Sequence, residues 1–162
     1  MSNQRVHVLV LADGIVQLIK DNLATPLGLQ ICTVGDLAKY PLIEELHTQC
    51  PAVFVKPYPS SDFNRVATGE TYDVDYFFRI VYVRKWSNQE EPVRVIETDA
   101  AKIAELLIDN LRPPITLVNG QINWSLMASI EHEPDEDIFV STFNTNLEAM
   151  AIKYLIQVRT RK

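Results

Sequence analysis

Glycine is scarce in this chain, with five in 162 residues. None falls in the spacing that cradles a dinucleotide or a nucleoside phosphate, so no cofactor of that kind is implied. No serine sits in the Gly-x-Ser-x-Gly setting of a nucleophile elbow. Cysteine is equally sparse: Cys32 and Cys50 are the only two. A small secreted domain stapled by disulfides carries more, so the chain reads as one made in a reducing cytoplasm. The first apolar stretch, Val6 to Ala12, runs into Asp13, Lys20 and Asp21 without a small-residue cleavage pattern, and no secretory leader is expected. No apolar run approaches the roughly 20 residues that span a bilayer, and no membrane partner is expected. Positive charge is also in deficit, with 15 Lys and Arg against 21 Asp and Glu, a net charge of -6 and a pI of about 5.0. That argues against binding a phosphate backbone over a broad surface, and no sequence-specific nucleic-acid partner is expected. The one basic cluster is the terminal Arg159-Thr160-Arg161-Lys162, which by itself reads as a solvated end.

What is present suits a single globular domain over residues 1–162. The apolar fraction is 47% and the charged fraction 22%, enough for one hydrophobic core. Val8, Leu11, Ile15, Leu18, Ile19 and Leu23 recur at helical spacing, with Ser2 and Asn3 available as caps and Pro26 and Gly28 at the end; Gly14 weakens this helix. Leu29 to Val34 reads as a short strand, and Leu42 to His47 as a helical turn opened by Pro41. Ala52 to Val55 reads as a strand stopped by Pro57 and Pro59. Ser60 to Gly69 reads as a polar loop, mobile in the free subunit, that nevertheless carries Phe63 and Val66. The clearest pattern follows. Tyr72, Val74, Tyr76, Phe78, Ile80 and Tyr82 alternate with Asp73, Asp75, Phe77, Arg79, Val81 and Val83, a long strand with one apolar face. The second face changes from acidic to apolar along its length, as if half of it is covered. Past a polar linker at Ser87 to Pro92, the stripe Ile96, Ala100, Ile103, Leu107 and Leu111 predicts a helix ended by Pro113 and Pro114.

Asn119-Gly120 between Ile115–Val118 and Gln121–Ile130 predicts a β-hairpin. An acidic loop runs from Glu131 to Asp137. Ile138 to Phe143 and a turn at Asn144 to Asn146 lead into a last strand in which Met150, Ile152, Tyr154, Ile156 and Val158 alternate with Lys153, Gln157 and Arg159. The order predicts an α+β fold: a mixed, mainly antiparallel sheet with two principal helices packed on one face.

Three groups of residues could carry chemistry. Cys32, His47 and Cys50 fall one ligand short of a structural zinc site, so thiols buried without metal are expected. Glu131, His132, Glu133, Asp135, Glu136 and Asp137 could hold a hard cation or an acid/base pair, but Pro134 interrupts them and the spacing is not that of an EF-hand; a solvated loop is the plainer reading. Asp73 and Asp75 lie about 7 Å apart on one strand face, a separation compatible with glycoside hydrolysis, but the start of a solvent-facing strand is the plainer reading.

Four features in order carry a resemblance. They are the N-terminal amphipathic helix ending near Ala24, the Ala52 to Pro59 strand with its loop to Gly69, the long strand Tyr72 to Arg84, and the Ile96 to Leu111 helix with the Asn119-Gly120 turn and a C-terminal strand. In this order the chain resembles the tail-terminator, or tail-completion, proteins of tailed bacteriophages. The resemblance implies a non-catalytic, cofactor-free and metal-free subunit. It implies a homo-oligomeric ring, commonly hexameric, that caps the tail tube, meets the head-side connector and surrounds passing DNA, first in the host cytoplasm and then in the virion tail. Another head-tail connector or a tail-tube subunit is the neighbouring reading. A small hydrolase or ligand-binding domain using the acidic cluster near His132 is the reading from a different class. For a ring, the candidate partner contacts are Phe63, Arg65, Val66 and Trp86, with Arg159 and Arg161 as a basic flank facing the acidic 131–137 segment of a neighbour.

Overall fold

The computed structural model describes residues 2–35, 50–65, 71–85, 92–132 and 147–161. Two helices, α1 (Ser2–Leu27) and α2 (Pro92–Asp109), accompany five strands: β1 (Ile31–Val34), β2 (Ala52–Arg65), β3 (Thr71–Lys85), β4 (Gly120–His132) and β5 (Leu147–Arg161). The sheet order is β1-β2-β3-β5-β4. β1 and β2 are parallel and every other pairing is antiparallel, which makes the fold α+β with a mixed, mainly antiparallel sheet. The turn expected at 42–47, the loop from Val66 to Gly69, the linker at 87–91 and the segment 133–146 lie outside the described residues.

Period two in β3 and β5 builds the core. Val74, Tyr76, Phe78, Ile80 and Tyr82 of β3 and Ile152, Tyr154, Ile156 and Val158 of β5 are buried on one face. Leu11, Ile15 and Ile19 of α1 and Ile96, Ala100, Ile103 and Leu107 of α2 cover them in one continuous cluster. Each such side chain contributes about 1.5–3 kcal/mol on burial. Leu111 lies beyond the end of α2 and is exposed. On the opposite face a smaller cluster gathers Ala52, Phe54, Val81, Val83, Ala149 and Ala151. The change of character along the second face of β3 is therefore real: Val81 and Val83 are buried, while Asp73 and Asp75 at the other end are polar.

Local chemistry explains the ends of α1. Gly28 adopts a φ of 64°. Its N–H bonds the Thr25 carbonyl at 3.2 Å, and the Leu29 N–H bonds the Ala24 carbonyl at 2.9 Å, a Schellman termination. Gly14, a weak helix former, is accounted for by packing: a Cβ there would lie 2.5 Å from the Ile115 side chain. Tyr82 ties the sheet to α2 by donating its hydroxyl to Asp99 at 2.7 Å.

Two sequence expectations fail. The strand that begins at Ala52 does not stop at the prolines, and Ser60 onward is not a loop: β2 runs to Arg65, with Ser61–Arg65 paired to Tyr76–Tyr72. The register breaks between Pro57 and Ser61, so the prolines sit in an irregularity, and β1 has ended by then, leaving the missing N–H groups no partner strand to disappoint. The Asn119-Gly120 signal produces a turn, with Asn119 at a φ of 54°, but the hairpin reduces to a single bridge between Leu117 and Gly120. The ladder of β4 is made along its other edge with β5, in eleven residue pairs broken by two irregularities.

Candidate functional site

The register collects several of the candidate contacts at one end of the sheet. Arg65 lies opposite Tyr72, Tyr72 opposite Thr160, and Thr160 opposite Gly120. One step inward, Phe63 lies opposite Val74 and Val74 opposite Val158. Phe63, Arg65, Arg159 and Arg161 therefore share the edge formed by the end of β2, the start of β3 and the end of β5. Val66 and Trp86 lie outside the described residues, as do residues 133–137 and Lys162.

A polar network covers the open face at this end. Arg159 donates Nε to Asp73 Oδ1 at 2.9 Å and Nη2 to Asp73 Oδ2 at 3.1 Å. Asn123 Nδ2 reaches Asp73 Oδ1 at 3.2 Å and Gln157 Oε1 at 3.1 Å, and Gln157 Nε2 donates to Asp75 Oδ1 at 2.9 Å. The Arg159 guanidinium holds the Asp73 carboxyl below the usual carboxylate range, with Asn123 adding to the effect. An ionised carboxylate gripped in this way neither donates a proton at neutral pH nor serves as a good base. Asp73 is therefore unsuited to the acid's part in the glycosidase reading of Asp73 and Asp75. Arg159 is correspondingly occupied within its own subunit, while Arg161 remains exposed. A cavity of about 340 Å³ opens beside them, lined by Thr71, Leu117, Asn119, Gly120, Gln121, Arg159 and Arg161.

Behind the same end, His7 of α1 is buried and its Nε2 lies 2.7 Å from the Val118 carbonyl, so Nε2 carries the proton. The contact ties the first helix to the Asn119-Gly120 turn, and it has room because residue 120 is a glycine: a Cβ there would lie 2.9 Å from His7.

Burial pushes the Cys32 thiol up to about 11, and its S–H faces the Val16 carbonyl at 3.7 Å, so it stays a protonated thiol at neutral pH. Cys50 is half-buried, and His47 lies outside the described residues. Among the described residues no three His, Cys, Asp or Glu side chains group as a metal site. Of the acidic cluster, Glu131 and His132 form the last rungs of β4, opposite Ala151 and Met150.

Sequence reasoning missed a second surface. β4 is a sheet edge, and along it Trp124 is 37% exposed, Leu126 53% and Ile130 37%. Their alternation was visible in the sequence. That β4 lies outermost was not, because strand order depends on where α2 returns the chain.

No protein-family model matches the sequence, and no curated protein matches it. The fold is similar to that of a chain in the virion of a native gene transfer agent particle, with a TM-score of 0.55 and 11% identity over 90% of this chain and 91% of that one.

Proposed function

We propose that this protein is a structural subunit of a phage-like particle, and within that class a tail terminator. In this reading it closes as a homo-oligomeric ring, a hexamer, on the end of the tail tube. It presents its other side to the head connector, and DNA passes through the ring. It assembles in the host cytoplasm and remains in the virion tail. The observation that carries the reading is the likeness in fold to a virion chain, in which nine-tenths of each chain corresponds. Phe63, Arg65 and Arg161, gathered at one end of the sheet, supply the flank that an adjacent subunit meets. The acidic 131–137 segment of the neighbour approaches Arg161 more readily than Arg159, whose charge Asp73 already balances.

Light scattering and sedimentation over a wide concentration range, followed by negative-stain images, test this reading. Closed rings of one diameter that do not elongate are expected. Open tubes would identify a tail-tube subunit instead, and a monomer at every concentration would refute self-assembly.

A further inference from the structure

We infer that each subunit seats the outer side of its neighbour's α2 on the open face of its own sheet. The inference rests on the ring reading above and names the surfaces that hold the ring. The two helices cover one face of the sheet. On the other face Phe77 of β3 stands opposite Leu155 of β5, and Leu126 of β4 stands opposite Leu155 in turn. Trp124 follows on the same face, opposite Gln157. Leu126 and Trp124 are exposed, while Phe77 and Leu155 are half-buried. Adjacent apolar groups on three strands make a patch, unlike the isolated exposed side chains that any surface carries. Lys153 rises beside it, its Nζ 5.4 Å from the centre of the Phe77 ring and 5.9 Å from that of Tyr58. Arg79 is its direct opposite on β3, and Lys56 the opposite of Arg79 on β2, so positive charge runs across the sheet. Asp73 and Asp75 on this face are engaged by Arg159 and Gln157.

The back of the subunit has the complementary character. α2 buries Ile96, Ala100, Ile103 and Leu107 and turns Ala101, Glu105 and Ile108 outward at helical spacing. Ile108 is 48% exposed. Lys102 is held by Asp99 at 3.9 Å, which leaves Glu105 and Asp109 to set the sign of this stripe. Ala101 and Ile108 suit the apolar patch, and Glu105 and Asp109 suit Lys153. A cation-bearing apolar face and an acid-bearing apolar face on one chain select a second copy as the occupant. Unlike surfaces join head to tail, which leaves one face and one back open at every step until the ring closes. A face-to-face dimer would instead set Lys153 and Arg79 against their own copies.

Sedimentation of the full chain carrying Leu126→Asp, which spoils the sheet face, or Ile108→Asp, which spoils α2, tests the pairing. Each alone should weaken self-association by about tenfold or more, since a carboxylate placed in an apolar contact is left unpaired. Mixed in equal amounts they should form a one-to-one complex and stop there. Only the sheet face of the Ile108→Asp chain and the helix of the Leu126→Asp chain make an intact junction. Leu126→Ser and Ile108→Ser give the same pattern where aspartate costs the fold, as read by thermal melting. Rings that persist in either variant, or folded variants that stay separate when mixed, would overturn the seating of α2 and leave the ring reading standing. A parent chain that never forms rings would overturn both.

Discussion

Arg159 grips Asp73 through two nitrogens at 2.9 and 3.1 Å, from directly opposite positions on β5 and β3. The folded-state pKa of Asp73 lies below its unfolded value, so this pair stabilises the fold above the unfolded carboxylate range. The contribution is lost as pH falls through the lower, folded value. Denaturant titrations of the parent and of Arg159→Gln should differ near pH 6 and converge at strongly acid pH. High salt should narrow the difference, because the arginine side chain is 47% exposed. Identical pH profiles would show that the pair contributes nothing.

Phe78 is fully buried in the centre of β3 beneath both helices. Phe78→Ala should cost about 3–5 kcal/mol by removing apolar contact and leaving a cavity. Equilibrium unfolding in urea measures it, and an unchanged midpoint would disprove the burial.

Gly14 should resist the usual helix-strengthening exchange. Alanine gains about 1 kcal/mol of intrinsic helix preference over glycine, yet its Cβ would collide with Ile115. Gly14→Ala is expected to lower Tm in the parent and to raise it in an Ile115→Ala background. Additive effects in that double-mutant cycle would show that Ile115 is not the obstacle.

Tyr82→Phe removes the donor that satisfies Asp99 from inside the core. A loss of about 1 kcal/mol at neutral pH is expected, because Asp99 is partly exposed and keeps Lys102 at 3.9 Å. Burial and the neighbouring carboxylate both raise the pKa of Tyr82. Phenolate absorbance in an alkaline titration should therefore show this tyrosine ionising only with unfolding, after Tyr76 and Tyr154, which burial pushes up to about 12.

What residue order determined alone was local and periodic. Alternation from Tyr72 to Val83 dictated a strand and named its buried face, and the stripe Ile96 to Leu107 dictated a helix and its inner side. Both follow from a periodicity that any core would have to respect. Gly28 and Asn119 marked the places where the backbone turns left-handed. The tertiary structure decided what lies beside what. Ser60–Arg65 looks like a loop in sequence and is a strand because β3 continues past Pro57 and Pro59 and offers it a ladder. The segment 115–118 looks like half of a hairpin and contributes a single bridge from Leu117 to Gly120, while the long ladder of β4 is made with β5 from the far end of the chain. That Asp73 is held by Arg159, 86 residues away, was decided by the fold that places them opposite one another. Pairing energies between distant strands depend on which neighbours are in reach. That is set by the path of α2 across the sheet, and no short window of sequence contains it.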